Sequence, residues 1–98
     1  MKPSVRTPLP GPRARALLER GEKVLSPSYV RPYPFVPARG QGAFLEDVDG
    51  NLFLDFMSGI AVNTTGYAHP KVVEAVRAQA ERFAHVCFSD FTHEPTLS

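Results

Sequence analysis

Several features that usually narrow a protein's function are scarce in this 98-residue chain. Its single cysteine, Cys87, excludes an internal disulfide and fits a reducing cytoplasm. No apolar run approaches the ~20 residues that a membrane-spanning helix needs, and Lys2-Pro3 lead into no apolar segment of a signal peptide. We therefore expect a cytoplasmic protein with no membrane partner.

Patterns typical of metal and nucleic-acid binding are also missing. The spacings among His69, His85, Cys87 and His93 match no paired-ligand zinc pattern, so we expect no metal site. The basic side chains of residues 1–24 outnumber the acidic ones, but they lie among prolines without aromatic residues for base stacking. This pattern indicates a solvated leader and no nucleic-acid partner.

Proline is abundant, and most of the ten prolines fall within the first 37 residues. Their distribution divides the chain. Residues 1–25 read as an extended tail followed by a short helix that starts near Pro12, because proline suits the first position of a helix. Residues 26–42 form a proline-rich strap that cannot be regular structure, and its aromatic side chains need a larger body to lie against.

Residues 43–98 carry the patterns of regular structure. Asp49-Gly50 between two apolar runs predicts a β-hairpin, since glycine accepts the positive φ of a tight turn. A loop with an apolar centre follows over residues 58–67. His69-Pro70 then opens a helix to about Ala84, with an expected core stripe at spacings of three and four: Val73, Val76, Ala80 and Phe83.

The end of the chain predicts less structure. Residues 85–89 are compatible with a short strand, and Glu94-Pro95 resembles the first turn of another helix. Because that helix has a start and no body, we expect the sequence to be the beginning of a longer protein.

Five short motifs follow one another over residues 40–70: Gly40-x-Gly42, Asp47-Val-Asp-Gly50, Phe53-Leu-Asp-Phe56, Gly59-Ile-Ala-Val62 and Gly66-Tyr-Ala-His-Pro70. In this order and spacing they resemble the N-terminal block of class-III aminotransferases. The family includes 4-aminobutyrate, acetylornithine and ornithine aminotransferases and related amino-acid racemases. Val72-Val73, Gln79 and Glu94-Pro95 continue the similarity, which covers about residues 25–98.

The resemblance implies a fold and a reaction. The fold is an α+β N-terminal segment (helix, strap, small antiparallel hairpin sheet, helix) of a fold-type-I transferase. The reaction moves an amino group from an amino acid to a 2-oxo acid through pyridoxal phosphate in a homodimer. Lys2, Lys23 and Lys71 lie on the tail, the first helix and a polar helix face, so none fits the cofactor's lysine anchor. The chain alone is expected to be inactive.

The resemblance also implies positions near the substrate. Ile60 matches a residue that helps to select the substrate side chain, and Tyr29 and Val30 match a second region at the pocket rim. Phe88 and Ser89 match a stretch near the active site at the dimer interface. Tyr67 departs from the family, because most relatives have histidine after the glycine at Gly66.

Three other functions fit the sequence. A racemase of the same family would share all these motifs. A free-standing interaction module would use the strap and the Ile60 loop to bind a partner protein, and a dimerisation lobe would associate without cofactor.

Overall fold

The computed structural model describes all of residues 1–98 as four helical segments and three strands. Their order is α1 (Pro12–Val24), β1 (Pro37–Gln41), β2 (Phe44–Asp47), β3 (Leu52–Leu54), α2 (Ser58–Ala61), α3 (Pro70–Ala80) and α4 (Glu94–Leu97). No helix has both the length and the apolar character that crossing a bilayer requires. The chain is a small α+β segment, as expected.

The three strands form one antiparallel sheet in the order β1-β2-β3. The predicted hairpin joins β2 to β3, and Gly50 takes a φ of 82° in its turn. Strand β1 was not expected, because residues 37–41 were assigned to the irregular strap. It pairs with β2 despite its proline start, and the Arg39 guanidinium forms an ion pair with Glu46 across the two strands at 2.6 Å.

The N-terminal tail lies on the sheet instead of extending into solvent. Ser4 and Leu52 exchange two backbone hydrogen bonds of 2.8 Å. The backbone amides of Arg6 and Thr7 then donate to the side-chain oxygen of Asn51. The prediction of a solvated leader is therefore wrong for the backbone of the tail, although its basic side chains remain exposed.

Helix α1 is longer than its sequence suggests, continuing through Gly21 to Val24. Both oxygens of Asp49, in the hairpin turn, accept hydrogen bonds from the first turn of α1, from the amides of Arg13 and Ala14 at 2.9 Å. This distant carboxylate supplies the N-terminal cap that Gly11 cannot provide with a side chain. The stabilisation from this cap is comparable in size to the destabilisation that Gly21 causes within the helix.

The strap has no helix or strand between residues 26 and 36, in agreement with its prolines. One of its aromatic rings has found a partner: Phe35 packs edge-on against Phe53 of β3, with 5.3 Å between ring centres. Tyr29 and Tyr33 remain 71% and 64% exposed.

The C-terminal part is more open than predicted. Helix α3 begins at Pro70, as expected, but ends at Ala80, and its intended core stripe is not buried; Val76 is 61% exposed. The predicted strand over residues 85–89 is absent, because no neighbouring strand offers it hydrogen bonds. Helix α4 does start at Glu94-Pro95.

Burial is slight overall. Only four of the 98 residues are buried, and Ala14 is the sole buried apolar side chain. The radius of gyration, 17.2 Å, exceeds the value of about 13 Å for a compact domain of 100 residues. The chain therefore presents most of its apolar surface outward.

Candidate functional site

The most unusual backbone in the chain lies at the position that the resemblance assigned to the substrate pocket. Four consecutive residues of α2 have positive φ: Ser58 at 54°, Gly59 at 62°, Ile60 at 64° and Ala61 at 61°. Only glycine adopts this left-handed region freely, and other residues lose roughly 1–2 kcal/mol each there. The expected loop is thus a strained left-handed turn, which the surroundings must hold in place.

Hydrogen bonds close the turn on itself. The amide of Ala61 donates to the carbonyl of Met57 at 3.0 Å, and the amides of Val62 and Asn63 donate to the carbonyl of Ser58 at 2.8 and 3.0 Å. The closed turn directs Ile60 outward, where its side chain is 82% exposed. An apolar, β-branched side chain is therefore displayed on a backbone that has little freedom.

Asp55 holds the entrance to this turn. One carboxylate oxygen accepts a hydrogen bond from the amide of Met57 at 2.8 Å, and the other accepts one from the amide of Ser58 at 3.0 Å. The second oxygen also accepts the hydroxyl proton of Tyr67 at 2.6 Å. Both oxygens of the half-buried carboxylate are consequently occupied.

Tyr67 links the same carboxylate to the sheet. Its backbone exchanges two hydrogen bonds, of 2.8 and 2.9 Å, with Gly42 in the turn between β1 and β2. Its ring lies so close to Gly40 that a Cβ there would approach within 2.6 Å of the ring. Gly40 must therefore be glycine for the ring to lie where it does.

The ionisation of this pair follows from its geometry. The hydrogen bond from Tyr67 and the backbone amides of Met57 and Ser58 lower the pKa of Asp55, although burial opposes them. The hydrogen bond to Asp55, with burial and the negative charge, raises the pKa of Tyr67. Ionised Asp55 and neutral Tyr67 are thus favoured together. Their stabilising effect is lost as the pH falls through the first pKa or rises through the second.

The residues assigned to the pocket rim are also exposed. Val30 is 84% exposed, and Tyr29, 71% exposed, has the guanidinium of Arg31 over its ring at 5.9 Å. Arg31 also donates to the backbone carbonyl of Tyr29 at 3.2 Å. Tyr29 and Val30 lie on the strap, whereas Ile60 lies on α2, and no hydrogen bond connects the two segments.

Phe88 and Ser89 lie in a third place, between α3 and α4. The Phe88 ring, 56% exposed, packs edge-on against His93 with 5.7 Å between ring centres. The imidazole of His93 also contacts Phe83 at 5.9 Å, and Ser89 is exposed. Within these 98 residues, the five predicted site residues therefore remain on three separate segments.

Neither Asp55 nor Tyr67 was predicted to hold the loop, and Tyr67 stood out only as a departure from the family. A signal was available for Asp55, because an aspartate before a glycine-containing loop often accepts hydrogen bonds from backbone amides two residues on. No comparable signal paired it with Tyr67, twelve residues away in the sequence.

No lysine offers a site for a cofactor. The side chains of Lys2, Lys23 and Lys71 are exposed, and none lies beside the Ile60 turn in the sequence or within α2. The residues present therefore do not fit the aldehyde anchor that the family resemblance implies.

Known proteins share the sequence pattern and the fold of this chain. The profile of the family described as aminotransferase class-III matches residues 25–98. The chain belongs to the class-III aminotransferase family. It is 54% identical over 85 residues to an alanine/serine racemase of Pyrococcus horikoshii, spanning 86% of this chain and 18% of the racemase.

Other relatives are transaminases. A 4-aminobutyrate aminotransferase of Mycobacterium tuberculosis is 45% identical over 82 residues, which are 84% of this chain and 18% of that enzyme. The solved acetylornithine aminotransferase of Elizabethkingia anophelis superposes with a TM-score of 0.70 at 34% identity, covering 83% of this chain and 21% of that one. The 98-residue chain thus spans about a fifth of the length of these relatives.

Proposed function

We propose that these 98 residues are the N-terminal segment of a pyridoxal-phosphate-dependent aminotransferase of fold type I. The enzyme would move an amino group from an α- or ω-amino acid to a 2-oxo acid. The observation that carries the proposal is the family match over residues 25–98, supported by the superposition on an acetylornithine aminotransferase.

The cofactor would be held outside this segment. Enzymes of this chemistry bind pyridoxal phosphate through a lysine Schiff base, and the cofactor acts as an electron sink for the amino acid. Because Lys2, Lys23 and Lys71 do not fit that role, we place the anchoring lysine in the part of the parent protein that these residues do not include.

The segment's own contribution would be to shape the substrate pocket. Ile60, exposed on a rigid turn, would form an apolar wall that contacts the variable part of the substrate. Tyr29 and Val30 would form the rim. Phe88 and Ser89 would lie near the active site at the interface of a cytoplasmic homodimer. Exposure of all five positions supports this arrangement, because each side chain is available to a larger body.

Racemisation is the second candidate, and the 54% identity to an alanine/serine racemase favours it. The two reactions use the same class of substrate, and they differ in where the proton returns. A racemase returns it to the α-carbon and needs no 2-oxo acid, whereas a transaminase releases a new 2-oxo acid and requires a second one as acceptor.

The test begins with the gene. An open reading frame continuing several hundred codons beyond Ser98 supports the enzyme, whereas a stop codon directly after Ser98 supports an interaction or dimerisation module. The full-length protein, supplied with pyridoxal phosphate and L-alanine, is then assayed with and without 2-oxoglutarate. Pyruvate formed only with the acceptor indicates transamination, and D-alanine formed without it indicates racemisation. Overturning the proposed enzyme would take two negative results: no D-alanine from L-alanine, and no glutamate from 2-oxoglutarate with either L-alanine or ω-amino donors.

A further inference from the structure

Tyr67 is attached to its surroundings at three points, and only one of them is needed to place its ring. The backbone is paired with Gly42, and the ring lies against Gly40. Either contact would keep the aromatic ring at the sheet. The hydroxyl makes a third contact, 2.6 Å from a carboxylate oxygen of Asp55, the residue that directly follows β3.

Asp55 passes that attachment on to the left-handed turn. The same oxygen that accepts the Tyr67 hydroxyl also accepts the amide of Ser58, the first positive-φ residue of α2. The other oxygen accepts the amide of Met57, whose carbonyl in turn closes the turn by accepting from Ala61. A continuous chain of hydrogen bonds therefore runs from the sheet to both ends of the turn.

We propose that Tyr67 and Asp55 are positioning residues that fix the left-handed turn of Ser58–Ala61 and thereby set where Ile60 meets the substrate. The inference rests on the proposed function for the substrate contact of Ile60, and it adds two residues that lie outside the predicted pocket. A turn with three non-glycine residues at positive φ relaxes toward extended or right-handed backbone unless such contacts oppose it.

Removing one oxygen atom separates this role from plain packing. Tyr67→Phe keeps the ring over Gly40 and the backbone pairing with Gly42, but it deletes the hydrogen bond to Asp55. Tyr33→Phe is the matched control, since the Tyr33 side chain is 64% exposed and its hydroxyl makes no hydrogen bond within the chain. Asp55→Asn is the second variant, because it replaces one of the two acceptor oxygens with an NH2 group. With the remaining oxygen on the amide of Met57, that NH2 cannot accept from Ser58 or from Tyr67.

The first measurement is hydrogen–deuterium exchange on the full-length protein, read from peptides that cover residues 55–64. The amides of Met57, Ser58, Ala61 and Val62 should exchange about tenfold faster in Tyr67→Phe, since hydrogen bonds to charged groups contribute more than neutral ones. Asp55→Asn should show the same pattern, and Tyr33→Phe should match the wild type. Unchanged exchange in Tyr67→Phe would overturn the proposal.

The second measurement is the ratio of kcat/KM for an aliphatic amino donor to that for a donor with a distal amine. In Tyr67→Phe this ratio should move at least about threefold closer to one, because a more mobile Ile60 side chain discriminates less between the two donors. The cofactor absorbance should not change. Faster exchange with an unaltered ratio would also overturn the proposal, since the turn would then not position Ile60.

The two readouts also separate this inference from the proposed function. Exchange needs no catalysis, so it tests the Tyr67–Asp55 hydrogen bond even in a protein without activity. A wild-type protein that lacks both transaminase and racemase activity would refute the proposed function and, with it, the substrate contact of Ile60.

Discussion

Two regions of this chain are held together by different means. In residues 1–54, the tail, α1 and the three strands converge on the hairpin turn after β2, and all four buried residues lie there. In residues 56–98, no residue is buried, and large apolar side chains face outward; Phe56 is 92% exposed and Val62 is 72% exposed. Residues 1–54 therefore pack around a small buried cluster of their own, whereas residues 56–98 have no buried cluster.

The centre of the first region is polar. Asn51, with no exposed surface, accepts from the amides of Arg6 and Thr7 and donates to the Thr7 hydroxyl and to Asp47. Burial alone would raise the pKa of Asp47, but hydrogen bonds from the side chain and backbone of Asn51 and from neighbouring amides leave it lowered. A fully satisfied polar cluster can thus organise a segment that has almost no apolar core.

Asn51→Ala should destabilise the polar cluster of residues 1–54, and we expect it to have the largest effect on stability. It removes the acceptor for two tail amides and leaves the buried Asp47 carboxylate without its side-chain donor. Losing hydrogen bonds at a buried, charged site costs about 3 kcal/mol. We expect the free energy of unfolding to fall by about that amount and proteolysis of the tail to accelerate.

The control for Asn51→Ala is Gln41→Ala, because Gln41 is an exposed polar residue at the end of β1. Its stability should match the wild type in urea denaturation followed by circular dichroism. Equal stability of the two variants would show that the polar cluster is not the centre of this region.

Ile60→Tyr should affect function where Asn51→Ala affects stability. Because Ile60 is 82% exposed, its replacement should change the free energy of unfolding little. If the full-length protein has the proposed activity and Ile60 forms the pocket wall, the replacement should shift discrimination between an aliphatic donor and one with a distal amine by about 1–3 kcal/mol. The ratio of kcat/KM for the two donors measures this. If the two values move together, Ile60 does not line the pocket.

Asp49→Ala tests the link between the hairpin and α1. The variant loses both hydrogen bonds to the first turn of the helix, and loss of an N-terminal cap costs about 1 kcal/mol. We expect lower helicity and a lower melting temperature. Asp90→Ala, in an exposed turn, serves as control, and a melting temperature as low as that of Asp49→Ala would rule out the capping role.

Val76→Lys should give the smallest change in stability and the clearest information on the second region. Val76 is 61% exposed on α3, so the unfolding free energy of the 98-residue chain should change by less than about 0.5 kcal/mol. Self-association should decrease, because exposed apolar patches promote contact between chains. Sedimentation at several concentrations measures this, and a monomeric wild-type chain would contradict the expectation.

Local chemistry made some elements predictable. Gly50 after Asp49 marked the hairpin, because only a residue without Cβ takes a φ of 82° at little cost. His69-Pro70 marked the start of α3, where the ring of His69 accepts from the amide of Lys71 at 3.3 Å. Glu94-Pro95 marked α4 in the same way. Each of these signals acts within a few residues, so no knowledge of the rest of the chain was needed.

Contacts between distant residues decided the remainder. Strand β1 exists because β2 offers hydrogen bonds to a segment that its prolines alone would leave irregular, and residues 85–89 form no strand because they have no such neighbour. The left-handed turn of α2 opposes the intrinsic preference of Ser58, Ile60 and Ala61. Sequence patterns express local preference. The strained turn of α2 is set by tertiary contacts, to Asp55 and to a tyrosine twelve residues further along the chain, which outweigh that local preference.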